Sequence, residues 1–587
     1  MANRRPILQR QVHQDSSTLI QFSHPRQSVQ VKLDDGRILE GPVGTPLETF
    51  AGHLVQPGEP PIVAALVDGN LRELSYPLTK DVEVQFLSNA TSDGKRIYQR
   101  SLILLMLAAV RDLYPEAKIT VDHAVTMYGL LCQVHERPPF TSAEVGQIQA
   151  RMEEIVDQDE PIVKTKIPLD QAVAMFQERG YEDKVRLLKY RRRKYVILYS
   201  LLDERGYFYG YMVPSTGYLR YFDLVPHPLG FVLRAPRRST PTQLPRERES
   251  PQLDLVFLQY GEWLRTLEVA DVGQLNEAIE SARIRKVILV SEALHEQQIV
   301  NIAHQIATRK DGVRLVLVSG PSSSGKTTFS KRLAIQLLAR GLRPVPLEMD
   351  NYFVERSRTP RDEKGNYDFE HLDALDLSLL NDHLSALLDG QEVEVPRFDF
   401  PSGTRRTGDT LRIGPEQIII AEGIHGMNPA LLINVPQERT FRVYISALTQ
   451  LNVDHHNRIS TTDSRLLRRM VRDARDRGYP AEETIDRWES VRRGEKKWVF
   501  PFQENADAMF NSALVYEMAV LKPLVEPLLR LVEPGTLAHV ESKRWLSFLQ
   551  WFLPCTPDLV PDNSILREFV GGSILHDFTV SLGEVQQ

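Results

Sequence analysis

The stretch GPSSSGKTTF, residues 320–329, sets Gly320, Gly325, Lys326 and Thr327 at the spacing GxxxxGK[ST]. It follows the apolar run VRLVLV and precedes KRLAIQLLAR, so it lies between an expected strand and an expected helix, the context in which this spacing holds phosphate. Glycines let backbone N–H groups turn toward phosphate oxygens, and the helix N-terminus adds a favourable dipole. Lys326 neutralises charge on the terminal phosphates, and Thr327 supplies a hydroxyl for Mg²⁺. Residues Gly320, Pro321, Ser322, Ser323, Ser324, Gly325, Lys326, Thr327 and Thr328 are therefore expected to cradle a nucleoside triphosphate; the competing reading is a Gly/Ser-rich turn. A second oxygen for the metal is expected from Glu422, where the apolar strand IIIA ends in EG; an ordinary strand-end carboxylate is the alternative.

The acceptor side follows from the same logic. RPVPLEMDNYF reads as a short strand ending in Asp350, and in a parallel α/β sheet the carboxyl ends of strands converge on the ligand crevice. A base for an acceptor hydroxyl belongs there, although an aspartate capping a turn would look the same. Asp368, Glu370, His371 and Asp373 crowd hydrogen-bond acceptors into NYDFEHLDALD, Asp373 being equally readable as a helix N-cap. In TTDSRLLRRMVRDARDRG, Arg465, Arg468, Arg469 and Arg472 stand at i, i+3, i+4 and i+7, one helix face. Such guanidinium groups can close over transferring phosphates as a lid; a solvated face paired with Asp473 and Asp476 is the other reading.

The elements that position these residues are embedded in a long chain. At 587 residues, three to five folding units are expected. With 42% apolar and 25% charged residues and a net charge of −6, no global basic field announces nucleic acid. Only Cys132 and Cys555 occur, without metal-ligand spacing, which fits a reducing cytoplasm. The start has no apolar signal segment and no run is long enough to span a bilayer, so neither export nor a membrane is expected.

Residues 1–27 are polar without periodicity and read as a flexible basic tail, and 28–90 as a β-rich module, with a hairpin at Asp34-Asp35-Gly36 and a strand in DVEVQFLS. Residues 91–235 read as an α+β unit with helices in SLILLMLAAVRDLYP and SAEVGQIQARMEEIVDQ and strands in KYVILYSLLD and YFYGYMV. A proline-rich linker or exposed loop is expected over 236–252, a helical connector over 253–311, the phosphate-loop domain over 312–533, and a helical extension over 534–587. The extension's Trp and Phe residues read as core or interface, while DNSILREFVGGS suggests no mechanism. His455 and His456 read as solvated or helix-end histidines. Glu504, Asn505 and Asp507 could line the nucleotide site or serve as caps and packing.

In order along the chain, the phosphate loop, the strand-end Asp350, FEHLDALD, PRFDF, EG and the arginine helix resemble the uridine kinase and phosphoribulokinase family. The resemblance implies a parallel sheet flanked by helices, ATP and Mg²⁺ held by Lys326 and Thr327, Asp350 as catalytic base, Glu370 on ribose hydroxyls, and the four arginines as lid. Tyr352, His371, Phe398 and Arg405 are expected beside Asp350 and Glu370 around a nucleoside or related small acceptor. Uridine kinases commonly show PxYDFxxHSR, whereas Phe398 and Gly403 stand here at the tyrosine and histidine positions. Two polar contacts for a pyrimidine edge are missing, which puts uridine or cytidine in doubt.

Residues 28–88 resemble a TGS domain, the β-grasp module of threonyl-tRNA synthetases. Residues 91 to about 235 resemble the second additional domain that follows it. That domain's editing chemistry uses an HxxxH pair and a later Cys and His, for which this chain has Arg100, Leu104, Val213 and Gly217. Editing is therefore excluded and a binding or scaffolding role is expected; the alternatives to a nucleoside kinase are an RNA- or ribosome-associated protein, contacting RNA through the front half, whose phosphate loop is a nucleotide-operated switch, and a kinase for a non-nucleoside sugar or alcohol. The combination resembles a bacterial multidomain nucleoside kinase type; self-association is left open.

Overall fold

The structure is a computed structural model that describes residues 24–578 apart from 57, 126–128, 246–249, 310–311, 364, 401 and 450. Most of the expected tail, residues 1–23, and four linker residues, 246–249, lie outside the described residues.

The period-two pattern of SVQVKL buries Val29, Val31 and Leu33 and leaves their neighbours toward solvent. That strand, Ser28–Leu33, turns at Gly36 (φ +86°) and pairs antiparallel with Ile38–Pro42, as the hairpin signal required. The sheet runs Ile38–Pro42, Ser28–Leu33, Val82–Ser88, Ile62–Val67, Asn70–Glu73, with Ser28–Leu33 and Val82–Ser88 parallel. Helix Leu47–Gly52 closes its core through Leu47 and Phe50.

Helix Ser92–Leu113 is apolar nearly all round from Leu102 to Val110, and such a helix must be buried. It packs on helix Ser142–Asp157, which starts with a capping box between Thr141 and Glu144. A four-stranded antiparallel sheet and a three-stranded one complete this unit. YFYGYMV is not a strand: Tyr207, Phe208 and Met212 turn into the core, Gly210 takes φ +116°, and the Tyr209 N–H donates to Asn457.

The stretch expected as a linker is pinned where it is described. Arg238 donates to the Ala90 carbonyl, Ser92 and Glu489, and Asn89 donates to the Pro241 carbonyl. Three helices follow, Pro251–Thr266, Val272–Glu280 and Ile284–Thr308. They are more than a connector, because Ile299, Ile302 and Ile306 share one core with the phosphate-loop helix.

The central sheet is all parallel, in the order Arg343–Glu348, Gln417–Gly423, Leu315–Ser319, Thr440–Ser446, Ala508–Asn511. Leu315–Ser319 is wholly buried, as a middle strand covered on both faces should be. Val316 and Val318 face the phosphate-loop helix Lys326–Leu338, with Phe329 and Leu333. Leu315 and Leu317 face helix Leu377–Leu388, with Leu380, Leu384 and Leu387. The register places Ser319 beside Gly423 and Glu348 beside Glu422, so three strand ends open at one level. The C-terminal helix Leu537–Leu549 buries Trp545 and Phe548, as its spacing suggested.

Candidate functional site

The phosphate loop leaves the middle strand at Gly320, where a Cβ would sit 1.9 Å from the Ile445 carbonyl oxygen, so no other residue fits. Ser323 (φ +60°) and Gly325 (φ +88°) both adopt left-handed backbone, the conformation that turns successive N–H groups to one side. Helix Lys326–Leu338 starts immediately after, with Gly325 at its N-cap.

Behind the helix start, Thr327 Oγ1 donates to Glu422 Oε1 at 2.9 Å. Burial pushes the Glu422 carboxyl up to about 8, with Lys326 pulling down and Glu568 and Asp350 pushing further up. A buried carboxyl group with two other carboxyl groups acting on it, beside a hydroxyl, is a fitting place for a hard cation, which takes few protein oxygens and fills its sphere with water and phosphate. Among the described residues no cluster of three or more His, Cys, Asp or Glu could hold a metal. The Thr327 hydroxyl and the Glu422 carboxyl are two oxygens that suit a Mg²⁺ whose other ligands are water and phosphate.

Asp350 is the second residue of the turn Met349–Tyr352 that follows strand Arg343–Glu348, and it is exposed to solvent. The surrounding protein raises its pKa; Lys326 and Arg477 oppose this and Glu348 adds to it. Lys326 therefore acts electrostatically on both Asp350 and Glu422. Glu370 is half-buried and pushed up to about 7, by burial first and Glu495 second, with Arg469 pulling it down. His371 is half-exposed, with its ring 4.2 Å from that of Trp498, and its Nδ1 accepts the Asp373 N–H. The helix that follows is capped by Asp376, so Asp373 is not its N-cap.

The arginine face departs from the lid expectation. Arg465 and Arg468 are fully buried, with side chains 1% and 0% exposed. Arg465 grips Glu495 with both terminal nitrogens, at 2.5 and 2.7 Å, and donates to the Ser322 carbonyl. Glu495 in turn accepts the Ser322 N–H at 2.9 Å. Arg468 pairs with Glu517 and donates to the Ser512 carbonyl, while the Ser512 hydroxyl donates to the Ser324 carbonyl. These two arginines are the rear brace of the phosphate loop, because a buried guanidinium needs a carboxylate and the loop carbonyls need donors. Arg469 donates to the Ser322 hydroxyl and to Asp473, and Arg472 pairs with Asp473; both keep a little solvent exposure.

Three expected acceptor residues also go elsewhere. Tyr352 is completely buried and its hydroxyl meets His383 Nδ1 at 3.1 Å, so its ring is core. Arg405 is spent on Asp376 and the Phe353 carbonyl. Phe398 packs among Phe353 and Phe400 at 8% exposure, and Phe400 is the exposed member at 54%. At Gly403 (φ +70°) a Cβ would come within 2.7 Å of the Arg356 guanidinium, so Arg356 fills the space a side chain would need. Glu504, Asn505 and Asp507 act in packing: they bond Gln252, the Met427 carbonyl, and the Arg442 N–H with Arg309. His456 is buried at 2% exposure rather than solvated, held among Asp183, Lys184 and Asp454; His455 is partly exposed.

Sequence reasoning missed the segment that covers the loop. Ile565 lies against Gly325, where a Cβ would meet its Cγ2 at 2.4 Å. Glu568 Oε2 accepts the Thr328 N–H at 3.1 Å, within the first turn of the loop helix. Lys331 donates to the carbonyls of Leu575 and His576, and Arg475 to those of Phe569 and Glu568. DNSILREFVGGS thus lies across the phosphate loop, with Ile565, Leu566 and Phe569 anchored in the core. The two apolar pairs that flank Arg567 and Glu568, Ile565-Leu566 and Phe569-Val570, were the available signal. Glu495 and Arg477 were missed too, each lying within a run of charges that reads as solvated.

At the positions aligned to editing chemistry, Leu104 and Val213 are buried, the Val213 N–H donates to Ser101 Oγ, Arg100 donates to the Tyr211 carbonyl and the Gly217 N–H donates to Asp159. None is a nucleophile or a metal ligand.

Comparison with known proteins agrees with this geometry. Residues 315–519 match the family model described as Phosphoribulokinase / Uridine kinase family. A uridine kinase of Halalkalibacterium halodurans is 30% identical over 196 residues, which are 33% of this chain and 84% of that protein. The uridine kinase of Chloroflexus aggregans is 33% identical over 197 residues, 33% of this chain and 85% of that protein. The threonine–tRNA ligase of Symbiobacterium thermophilum is 31% identical over 198 residues, 34% of this chain. The match takes in only 30% of that ligase, so the chain spans about a third of its length. Through its residues 315–519, with the phosphate loop at their start, the chain belongs to the phosphoribulokinase / uridine kinase family.

Proposed function

We propose that the protein is an ATP- and Mg²⁺-dependent kinase that transfers the γ-phosphoryl group to a hydroxyl of a nucleoside. The observation that carries this is one cluster: Thr327 bonded to Glu422 behind the phosphate loop, with Lys326 acting on both Glu422 and Asp350. Thr327 and Glu422 would hold Mg²⁺, which when bound neutralises phosphate charge. The Lys326 ammonium and the N–H groups of Ser323, Gly325, Lys326 and Thr327 hold the phosphates. Asp350 accepts the hydroxyl proton as the new P–O bond forms and the bond to the ADP oxygen breaks. Glu370 holds sugar hydroxyls, and Arg469 and Arg472 remain the charge-stabilising pair of the arginine face. Arg356 beside Gly403 and the exposed ring of Phe400 shape a base pocket unlike that of a pyrimidine-reading PxYDFxxHSR hairpin.

The strand order of the front sheet supports a β-grasp, TGS-like module, and the threonine–tRNA ligase similarity supports a synthetase-like second unit. With Arg100, Leu104, Val213 and Gly217 at the editing positions, that unit binds rather than hydrolyses.

The test is phosphate transfer from labelled ATP with Mg²⁺ to a panel of nucleosides, ribulose 5-phosphate and pantothenate, run beside Asp350→Asn. Turnover of a nucleoside that Asp350→Asn abolishes is expected. Slow, RNA-stimulated hydrolysis with no acceptor product would overturn the kinase reading. Transfer that survives Asp350→Asn would remove only the base assignment.

A further inference from the structure

A cavity of about 430 Å³ lies far along the chain from the phosphate loop. Its wall takes Asn70–Arg72 from the front sheet, one face of helix Ser92–Leu113, the loop Arg191–Arg193, the irregular run Tyr207–Tyr211, and the C-terminal helix with Trp551. Nine lysines and arginines line it, against one acidic residue, Asp93.

Three of the nine are neutralised: Arg96 by Asp93 and Glu541, Lys164 by Glu73, and Arg544 by Asp463 and Glu541. The other six, Arg72, Arg100, Arg191, Arg192, Arg193 and Lys543, have no carboxylate within ion-pair distance among the described residues. Nine cations face four carboxylates, an excess of five. Arg100 is the telling member. Among the described residues its one hydrogen bond goes from Nη1 to the Tyr211 carbonyl, and the guanidinium lines the cavity. The ionisable groups acting on it most strongly are Tyr199, Tyr209, Arg96 and Arg544, none of them a carboxylate, and burial brings its pKa down to about 10. Gly210 makes this position possible, since a Cβ there would lie 2.7 Å from the guanidinium. An enclosed, uncompensated cation is costly, and the cost is removed by an anion brought in from solution.

The wall also offers rings. Tyr199, Tyr207, Tyr209, Tyr211 and Trp551 line the cavity, with the Arg191 guanidinium 5.1 Å from the Trp551 ring and Lys164 5.0 Å from that of Tyr211. Cations interleaved with rings suit a ligand carrying phosphates at one end and a flat base at the other. The volume lies within the range of small-ligand sites, about 300–1,000 Å³, and is too small for a folded macromolecule.

We propose that this cavity is a second nucleotide site, taking a nucleoside di- or triphosphate whose phosphates lie on Arg100, Arg191 and Lys543 and whose base lies among the tyrosines. The site is distinct from the phosphate loop in residues and in chemistry, and it makes the front half a small-anion receptor.

Calorimetric titration of the full chain with ADP and with GDP tests it, using wild type, Lys326→Ala, Arg100→Gln and Lys543→Glu. Two sites per chain are expected for wild type. Arg100→Gln should weaken one of them at least tenfold without changing the other, and Lys326→Ala should do the reverse. Because Arg100 is enclosed and its loss could disturb folding, Lys543→Glu at the exposed rim serves as the second variant, with a several-fold loss expected at the same site. A single site in wild type, or two sites unaffected by both Arg100→Gln and Lys543→Glu, overturns the proposal. So does a 5′-phosphorylated oligoribonucleotide that binds the cavity more tightly than either nucleoside diphosphate, ADP or GDP, since the cavity would then be an RNA-end site.

Discussion

Two regions of this molecule are built for anions, and they share almost no chemistry. The phosphate loop presents backbone: left-handed Ser323 and Gly325, a helix N-terminus and one lysine. The front cavity presents side chains: nine cations and six aromatic rings drawn from segments between Asn70 and Trp551. Backbone recognition needs contiguous residues at fixed spacing, whereas side-chain recognition can be assembled from anywhere. The first therefore keeps its geometry without ligand through internal bracing. The second carries uncompensated charge until a ligand arrives.

The largest effect that could break this contrast is catalytic. Lys326→Ala should lower kcat for phosphate transfer by about 10²–10⁴-fold, as should Asp350→Asn, the range for losing one group that acts in the transition state. Steady-state kinetics reads it, and near-normal turnover in Lys326→Ala would mean that the loop does not rely on its single cation. Next comes the bracing. Arg465→Ala leaves the buried Glu495 without its cation and should destabilise the protein by about 3–5 kcal/mol, visible as a lowered thermal midpoint. A small shift would show that the loop is not held from behind.

A subtler sharpening concerns Glu568, which accepts an N–H suited to a phosphate oxygen. Glu568→Gln removes a negative charge from the loop and should tighten ATP binding on the order of tenfold, since hydrogen bonds to charged groups are worth about 1.5–3 kcal/mol. Unchanged or weaker binding would mean that the carboxylate assists the nucleotide. The smallest effect is a pH dependence. Glu422 holds its proton up to about pH 8 in the folded chain, against 4.5 for the free group. A raised carboxyl favours the folded state at low pH and loses that advantage as pH rises. Glu422→Gln should therefore change stability little below pH 4.5, and its stabilising gain should grow to about pH 8 and then level off. Thermal melts across pH without nucleotide check this, and a gain confined to acid pH would refute the burial assignment.

The sequence made the central sheet legible because its middle strand is an apolar run followed by a fixed motif, and the strand ends at Asp350 and Glu422 came with it. It misread Arg465 and Arg468, since helical spacing tells which residues share a face but not whether that face meets water or Glu495 and Glu517. Tyr352, Arg405 and His456 failed for the same reason: their partners, His383, Asp376 and Asp454, are tertiary neighbours that spacing does not reveal. YFYGYMV has strand composition, yet its rings are claimed by two cores and its glycine bends the chain. The front cavity had no linear signature at all.

The covering segment changes how the enzyme comes into being. Glu568 follows Thr328 by 240 positions. At about 5–20 residues per second, the phosphate loop spends on the order of ten seconds or more outside the ribosome before its cover exists. During synthesis the loop is thus made long before its cover, and the covering segment can take its place only after the last strand of the central sheet, Ala508–Asn511, is made.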